Sequence, residues 1–241
     1  MPKVFIIGDS HTHALKQALK GGFTGADISV RRLSKIKNDT RIGDISFEGF
    51  LSECAGLSVD DIVVCAIGGN QHSAMSLIQH PVPYDIHSQP DEQQSPRQDI
   101  TYVPRNLIKD RLAQGLKGGD GAKITQIAAQ GPFRTLHLTP PPPKENADYI
   151  LNRPETDFLR KGILEAGVSD AAMRQRIWIL QNEVMADLLD AAKVQMLPVP
   201  QAAMTPDGFL HPDYYGPDAT HANAAYGALV LEQIAATLKQ P

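Results

Sequence analysis

The chain has 241 residues, 42% of them apolar, and a formal net charge of −4. That length suits one domain with a sizeable buried core, and the mildly acidic balance, with no block of Lys or Arg, speaks against a nucleic-acid partner. No stretch approaches the roughly 20 apolar residues of a membrane span, and no basic segment followed by a long apolar run is visible at the start, so a cytoplasmic location without membrane contact is expected.

Taken in chain order, "KVFII" (3–7) is a short apolar run ending at a glycine and reads as a buried strand. Residues 11–20, "HTHALKQALK", place Ala14, Leu15, Ala18 and Leu19 at helical spacing before a Gly-Gly stop. "DISVRRL" (27–33) reads as a second strand and residues 46–55 as a short helix. "DIVVCAI" (61–67) is another buried strand, closed by Gly68 and Gly69. It contains Cys65, which with Cys54 reads as a buried core thiol rather than part of a disulfide framework. "RTLHLT" (134–139) follows a helical region and runs into four prolines. The longest predicted helix spans 171–193, with Ile177, Leu180, Val184, Leu188 and Ala191 along one face. A last strand at 194–199 precedes a final helix at 224–239.

Strands alternate with helices, and most strands are continuous apolar runs rather than alternating ones. A parallel sheet covered on both faces reads this way, so the expected architecture is a three-layer α/β/α fold with a central parallel sheet. Functional residues should then lie beyond the carboxyl ends of strands. A single domain over 1–241 is expected, interrupted by a polar, proline-rich insertion at about 79–104 that reads either as a mobile surface excursion or as a substrate wall.

Several segments carry chemistry. Ser10 follows the first strand and precedes a helix, where unpaired backbone N–H groups favour a developing negative charge; alone, it also fits a plain N-cap serine. Asp218 lies three residues before His221. That spacing lets the carboxylate take the imidazole Nδ1–H and leaves Nε2 free to accept a hydroxyl proton, though a simple capping turn has the same letters. Asn70 stands behind two glycines at a strand end and offers a side-chain amide to an oxyanion. Gly43, in the polar turn "TRIGDIS", offers a backbone N–H or is only a turn glycine.

In order and placement, G-D-S after the first strand, a glycine in the next turn, G-G-N after the third strand and D-x-x-H before the last helix resemble the SGNH (GDSL-like) hydrolase superfamily. The resemblance runs from Lys3 to the last helix. It implies a flavodoxin-like α/β/α fold and acyl-ester chemistry with neither metal nor cofactor. Ser10 matches the nucleophile, His221 the base and Asp218 its orienting acid. The N–H groups of Ser10 and Gly43 and the amide of Asn70 match the oxyanion hole. The residue after Ser10 is His11 rather than leucine, and G-D-S-H resembles the domains of glycan O-acyltransferases and some carbohydrate esterases. That points to a small acyl group on a carbohydrate or similar small molecule as substrate. The usual aspartate after Asn70 is missing, and His72 is the candidate to replace it; His11 and His72 are therefore candidate pocket residues.

Three other readings stand beside the serine esterase. One is an acyltransferase using the same site. Another is a metallophosphoesterase of the calcineurin-like kind, because Asp9-Ser10-His11, Gly43-Asp44 and Asn70 with His72 nearly reproduce its metal-ligand order. The third is a glycan-binding protein without catalysis.

Overall fold

The apolar runs of the sequence meet in one five-stranded parallel sheet. The computed structural model describes residues 2–37, 39–86 and 100–238. Its elements begin with β1 (Lys3–Gly8), α1 (Thr12–Lys20), β2 (Asp27–Arg32), β3 (Lys35–Lys37), β4 (Thr40–Ile42), α2 (Phe47–Cys54) and β5 (Ile62–Ala66). They continue with α3 (Gln71–Ser76), β6 (Tyr84–Ile86), β7 (Thr101–Val103), α4 (Arg105–Lys117), α5 (Asp120–Ala128) and β8 (Arg134–Leu138). The last third holds α6 (Ala147–Leu151), α7 (Thr156–Arg160), α8 (Ile163–Ala166), α9 (Ala171–Asp190), β9 (Gln195–Leu197) and α10 (Ala224–Thr237).

The sheet order is β2-β1-β5-β8-β9, with every pairing parallel. Counted by the sheet's own strands, this is the flavodoxin-like 2-1-3-4-5 order. Its ligand crevice opens at the carboxyl ends where the order reverses, here between β1 and β5. Successive side chains of a strand face opposite sides. Ile62 and Val64 of β5 therefore join Val4 and Ile6 of β1 in a core with Leu15 of α1 and Leu231 and Ile234 of α10. Val63 and Cys65 face the other way, onto Leu112 of α4, Ile124 of α5 and Ile177 of α9. The result is the expected three layers.

One close contact decides where the site forms. Helices α1 and α10 pack side by side, and at Gly227 a Cβ atom would stand 2.3 Å from the Ala14 carbonyl oxygen. Only glycine allows that approach. It brings the start of α10 beside the start of α1.

The structure departs from the sequence expectation in three places. The long helix ends at Asp190 rather than 193. Ala191 is exposed past its last turn, because Lys193 takes a left-handed φ of 56° and turns the chain so that Val194 enters the core. Leu189, buried and outside the predicted face, completes the apolar stripe. The hairpin of β3 and β4 has too little apolar pattern to be anticipated. At the insertion, 87–99 lie outside the described residues, while the flanking β6 and β7 pair in parallel and Ile86 is buried against the α4–α9 layer. Among the described residues, no helix is long and apolar enough to cross a membrane.

Candidate active site

Ser10 sits in the turn between β1 and α1. The turn is fastened on both sides: the Asp9 N–H donates to the Ala66 carbonyl at 3.2 Å, and Asp9 Oδ1 accepts the His11 N–H at 3.1 Å. The Thr12 hydroxyl donates to the Asp9 carbonyl at 2.6 Å. These bonds leave the Ser10 N–H without a hydrogen-bond partner among the described residues.

His221 reaches the same place from the loop before α10. Its ring nitrogen Nδ1 lies 2.8 Å from Asp218 Oδ2. The other oxygen, Asp218 Oδ1, accepts the backbone N–H groups of His221 at 2.8 Å and Thr220 at 3.1 Å. One carboxylate thus sets both the ring and the loop that carries it. Burial works against the Asp218 charge, but the hydrogen bonds from His221 and Thr220 outweigh it and hold the carboxyl down at about 2. It stays ionised throughout the neutral range and fixes the imidazole with its proton on Nδ1, leaving Nε2 as the free base.

Ser10 and His221 line one small cavity together with His11, Ala14, Pro141 and Tyr226. Within it the Ser10 hydroxyl and the His221 ring make no direct hydrogen bond among the described residues. The His11 and His221 ring centroids are 5.1 Å apart. Burial lowers the pKa of His11, against the pull of Asp9, which favours a neutral ring as the wall of the cavity. A second small cavity adjoins the first, sharing His11, Ala14, Pro141 and Tyr226 and walled also by Gly69 and Pro140. The proline run after β8 is thus a wall of the site, and the Trp178 indole N–H pins it by donating to the Pro140 carbonyl at 3.1 Å.

The other predicted residues are not in that cavity. Asn70 is exposed at the start of α3, beyond the end of β5, and its side chain makes no capping bond. Gly43 stands at the end of β4 with a φ of 110°, where a Cβ would lie 2.5 Å from the Leu33 carbonyl oxygen, so no other residue fits that turn without strain. The next residue, Asp44, ties the turn to α1 through an ion pair with Lys16. His72 lies in the first turn of α3 on its buried side: its backbone N–H donates to Gln181 Oε1 at 2.6 Å, and its Nε2 lies 3.1 Å from the Ser73 hydroxyl. Burial, with His11 nearby, pushes its pKa down to about 3, so it is a neutral packing group; its ring bond goes to Ser73 and not to Asn70.

Sequence reasoning missed Glu155, Thr220 and Lys144. Lys144 follows the prolines directly, and that adjacency was the only signal. Its ammonium is buried and donates to the Gly216 carbonyl at 2.9 Å and to the Asp218 carbonyl, with the Tyr149 and Tyr215 rings 4.8 and 5.0 Å away. Arg174, also buried, holds the Lys144 carbonyl from below at 2.9 Å. The loop carrying Asp218 and His221 therefore rests on a buried cation. Burial lowers the Lys144 pKa from the ordinary 10.5 to about 8, against the attraction of Asp218 and Glu155. Between those two values the unfolded chain keeps this proton and the folded chain has released it, so folded stability from this group rises with pH. Urea unfolding near pH 7.5 and pH 10 should show wild type gaining on Lys144→Met by on the order of 2 kcal/mol. An unchanged difference between the two proteins counts against a buried ammonium.

The metal-ligand order suggested by the sequence does not assemble. Among the described residues, the one group of three potential ligands close enough to share an ion is Glu155, Asp218 and His221, whose ligand atoms lie within 4.8 Å of one another. Asp9, His11, Asp44 and His72 form no such group. Asp218 and His221 bond each other directly, and Glu155 Oε1 accepts the Thr220 hydroxyl at 2.5 Å.

No protein-family model and no curated protein matches the chain. Solved structures do. A candidate platelet activating factor from Streptococcus pneumonia aligns at a TM-score of 0.50 with 16% identity, over 98% of this chain and 84% of that one. A GDSL-like lipase from Bacteroides thetaiotaomicron VPI-5482 aligns at 0.46 with 13% identity, over 99% and 88% of the two chains. Est24, a carbohydrate acetylesterase from Sinorhizobium meliloti, aligns at 0.44 with 15% identity, over 99% and 98%. At 16% identity the likeness to the first of these is one of fold.

Proposed function

We propose that this chain, which has the α/β/α fold of the SGNH (GDSL-like) hydrolases, is a serine-dependent ester hydrolase acting on a small acyl group carried by a carbohydrate or similar small molecule. The observation that carries the reading is the Asp218–His221 pair, 2.8 Å apart, opening onto the cavity that Ser10 also lines. His221 Nε2 takes the Ser10 proton as the hydroxyl attacks the ester carbonyl. The oxyanion that forms meets the free N–H of Ser10; the Gly43 N–H and the Asn70 amide, which lie outside the cavity lining, serve as further donors only by moving toward it as substrate binds. His221, now imidazolium and steadied by Asp218, protonates the leaving alcohol. Water then resolves the acyl-enzyme by the same route in reverse. The preference for a short acyl chain is supported by the small size of the cavity, which Pro141 and Tyr226 help to line.

A panel of acyl esters from acetate to long chain, assayed with and without a chelator, tests this. Turnover should be fastest for the shortest acyl groups and indifferent to the chelator. Turnover that a chelator abolishes and that survives loss of the Ser10 hydroxyl would sink the serine reading in favour of metal chemistry.

Asn70→Ala isolates one oxyanion donor. Its removal should cost about 3 kcal/mol in the barrier, a fall in kcat of roughly 10²-fold with little change in KM. A variant with unchanged turnover places Asn70 outside the mechanism.

A further inference from the structure

We infer that Glu155 is a second acid behind His221, a positioning residue whose carboxylate stands beside Asp218 at the Nδ1 edge of the ring. The inference rests on the reading of His221 as the general base.

His221 Nδ1 faces two carboxylates. Asp218 Oδ2 is bonded to it at 2.8 Å, and Glu155 Oε1 lies 3.7 Å away. Glu155 comes from a distant part of the chain, the residue before α7, and its side chain does not cap that helix. Its Oε1 is held by the Thr220 hydroxyl, one residue from the base. Its Oε2 is buried with no hydrogen-bond donor among the described residues, while the side chain as a whole stays 23% exposed. A buried carboxylate oxygen without a donor is costly, and here that oxygen belongs to a carboxylate beside the base.

Lys144, Arg153 and Arg174 lie on the far side of the loop, and Lys144 acts through its bond to the Asp218 carbonyl. The ring itself faces the two carboxylates on its Nδ1 side. Two carboxylates at that edge favour the state in which His221 holds the Ser10 proton, which is the state next to the transition state. Glu155 also stands near enough to accept the Nδ1–H if Asp218 is truncated, by closing less than the present 3.7 Å. A merely structural role is the alternative, in which Glu155 only anchors Thr220.

Two sets of variants separate these. Glu155→Gln keeps an oxygen for the Thr220 hydroxyl but removes the charge. It should lower kcat on an acetate ester about tenfold with KM unchanged and an unaltered melting midpoint; a wild-type kcat would overturn the inference. Asp218→Ala and Asp218→Ala/Glu155→Ala are then compared by ¹⁵N NMR of His221 at a pH where the ring is neutral. With Glu155 present the proton should stay on Nδ1, and without it the tautomer should mix. Identical tautomers in the two variants also overturn the inference. The NMR comparison needs no turnover, so if wild type hydrolyses no ester, the functional reading fails while the place of Glu155 behind His221 is still decided.

Discussion

Replacing Ser10 by Ala should all but abolish ester hydrolysis, with kcat falling on the order of 10⁵-fold and the fold intact. The loss is large because the hydroxyl is the group that forms the covalent bond, and no other aliphatic hydroxyl lines the cavity. Its neighbours there present the imidazoles of His11 and His13, the apolar surface of Ala14, Pro141 and Ala222, and the Tyr226 phenol, whose pKa burial pushes well up. The fold should survive because the turn is held by the backbone and side chains of Asp9 and Thr12, none of which uses the Ser10 hydroxyl. Kinetics on an acetate ester, with a circular-dichroism melt as control, check both halves. A Ser10→Ala protein that keeps more than a few per cent of wild-type turnover ends the nucleophile assignment.

His221→Gln should lose activity almost as completely, and combining it with Ser10→Ala should make matters no worse. Residues that act as a unit are strongly non-additive: once the base is gone the hydroxyl is an alcohol of ordinary reactivity, and once the hydroxyl is gone the base has nothing to deprotonate. The cost in stability should be only about 1 kcal/mol, that of one hydrogen bond. Asp218 still receives the backbone N–H groups of residues 220 and 221, and the Gly216 N–H still donates to the carbonyl of residue 221 at 2.8 Å. Lys144 continues to hold the carbonyls of Gly216 and Asp218 from beneath. Rates for the two single variants and the double variant, measured side by side, test the coupling. Two losses that multiply in the double variant would mean that Ser10 and His221 act separately.

Much of this protein was legible along the chain because the relevant physics is local. Continuous apolar runs at β1 and β5 are buried on both faces, and with strands alternating with helices along the chain this specifies a parallel sheet with helices on both sides. A strand that ends in Gly-Asp-Ser must turn there, so Ser10 falls at a carboxyl end whatever the rest of the chain does. Asp218 and His221 are three residues apart, within reach of one turn, and the 2.8 Å bond between them needs no distant partner. What the tertiary structure decided is everything that depends on residues far apart in sequence. Pattern and spacing carry no information on how near α10 lies to α1; the bare backbone of Gly227 against Ala14 sets it, and with it the cavity that Ser10 and His221 share. Glu155 had no legible signal and Lys144 only its place after the prolines, because a carboxylate and an ammonium ordinarily stay in water. Lys144 is buried and Glu155 partly covered here because the loop of residues 216–221 folds down onto them, bringing Glu155 to a Thr220 hydroxyl that is 65 positions away in the chain. Local periodicity encodes which face of an element is wet, while the partner of a buried charge is chosen by packing.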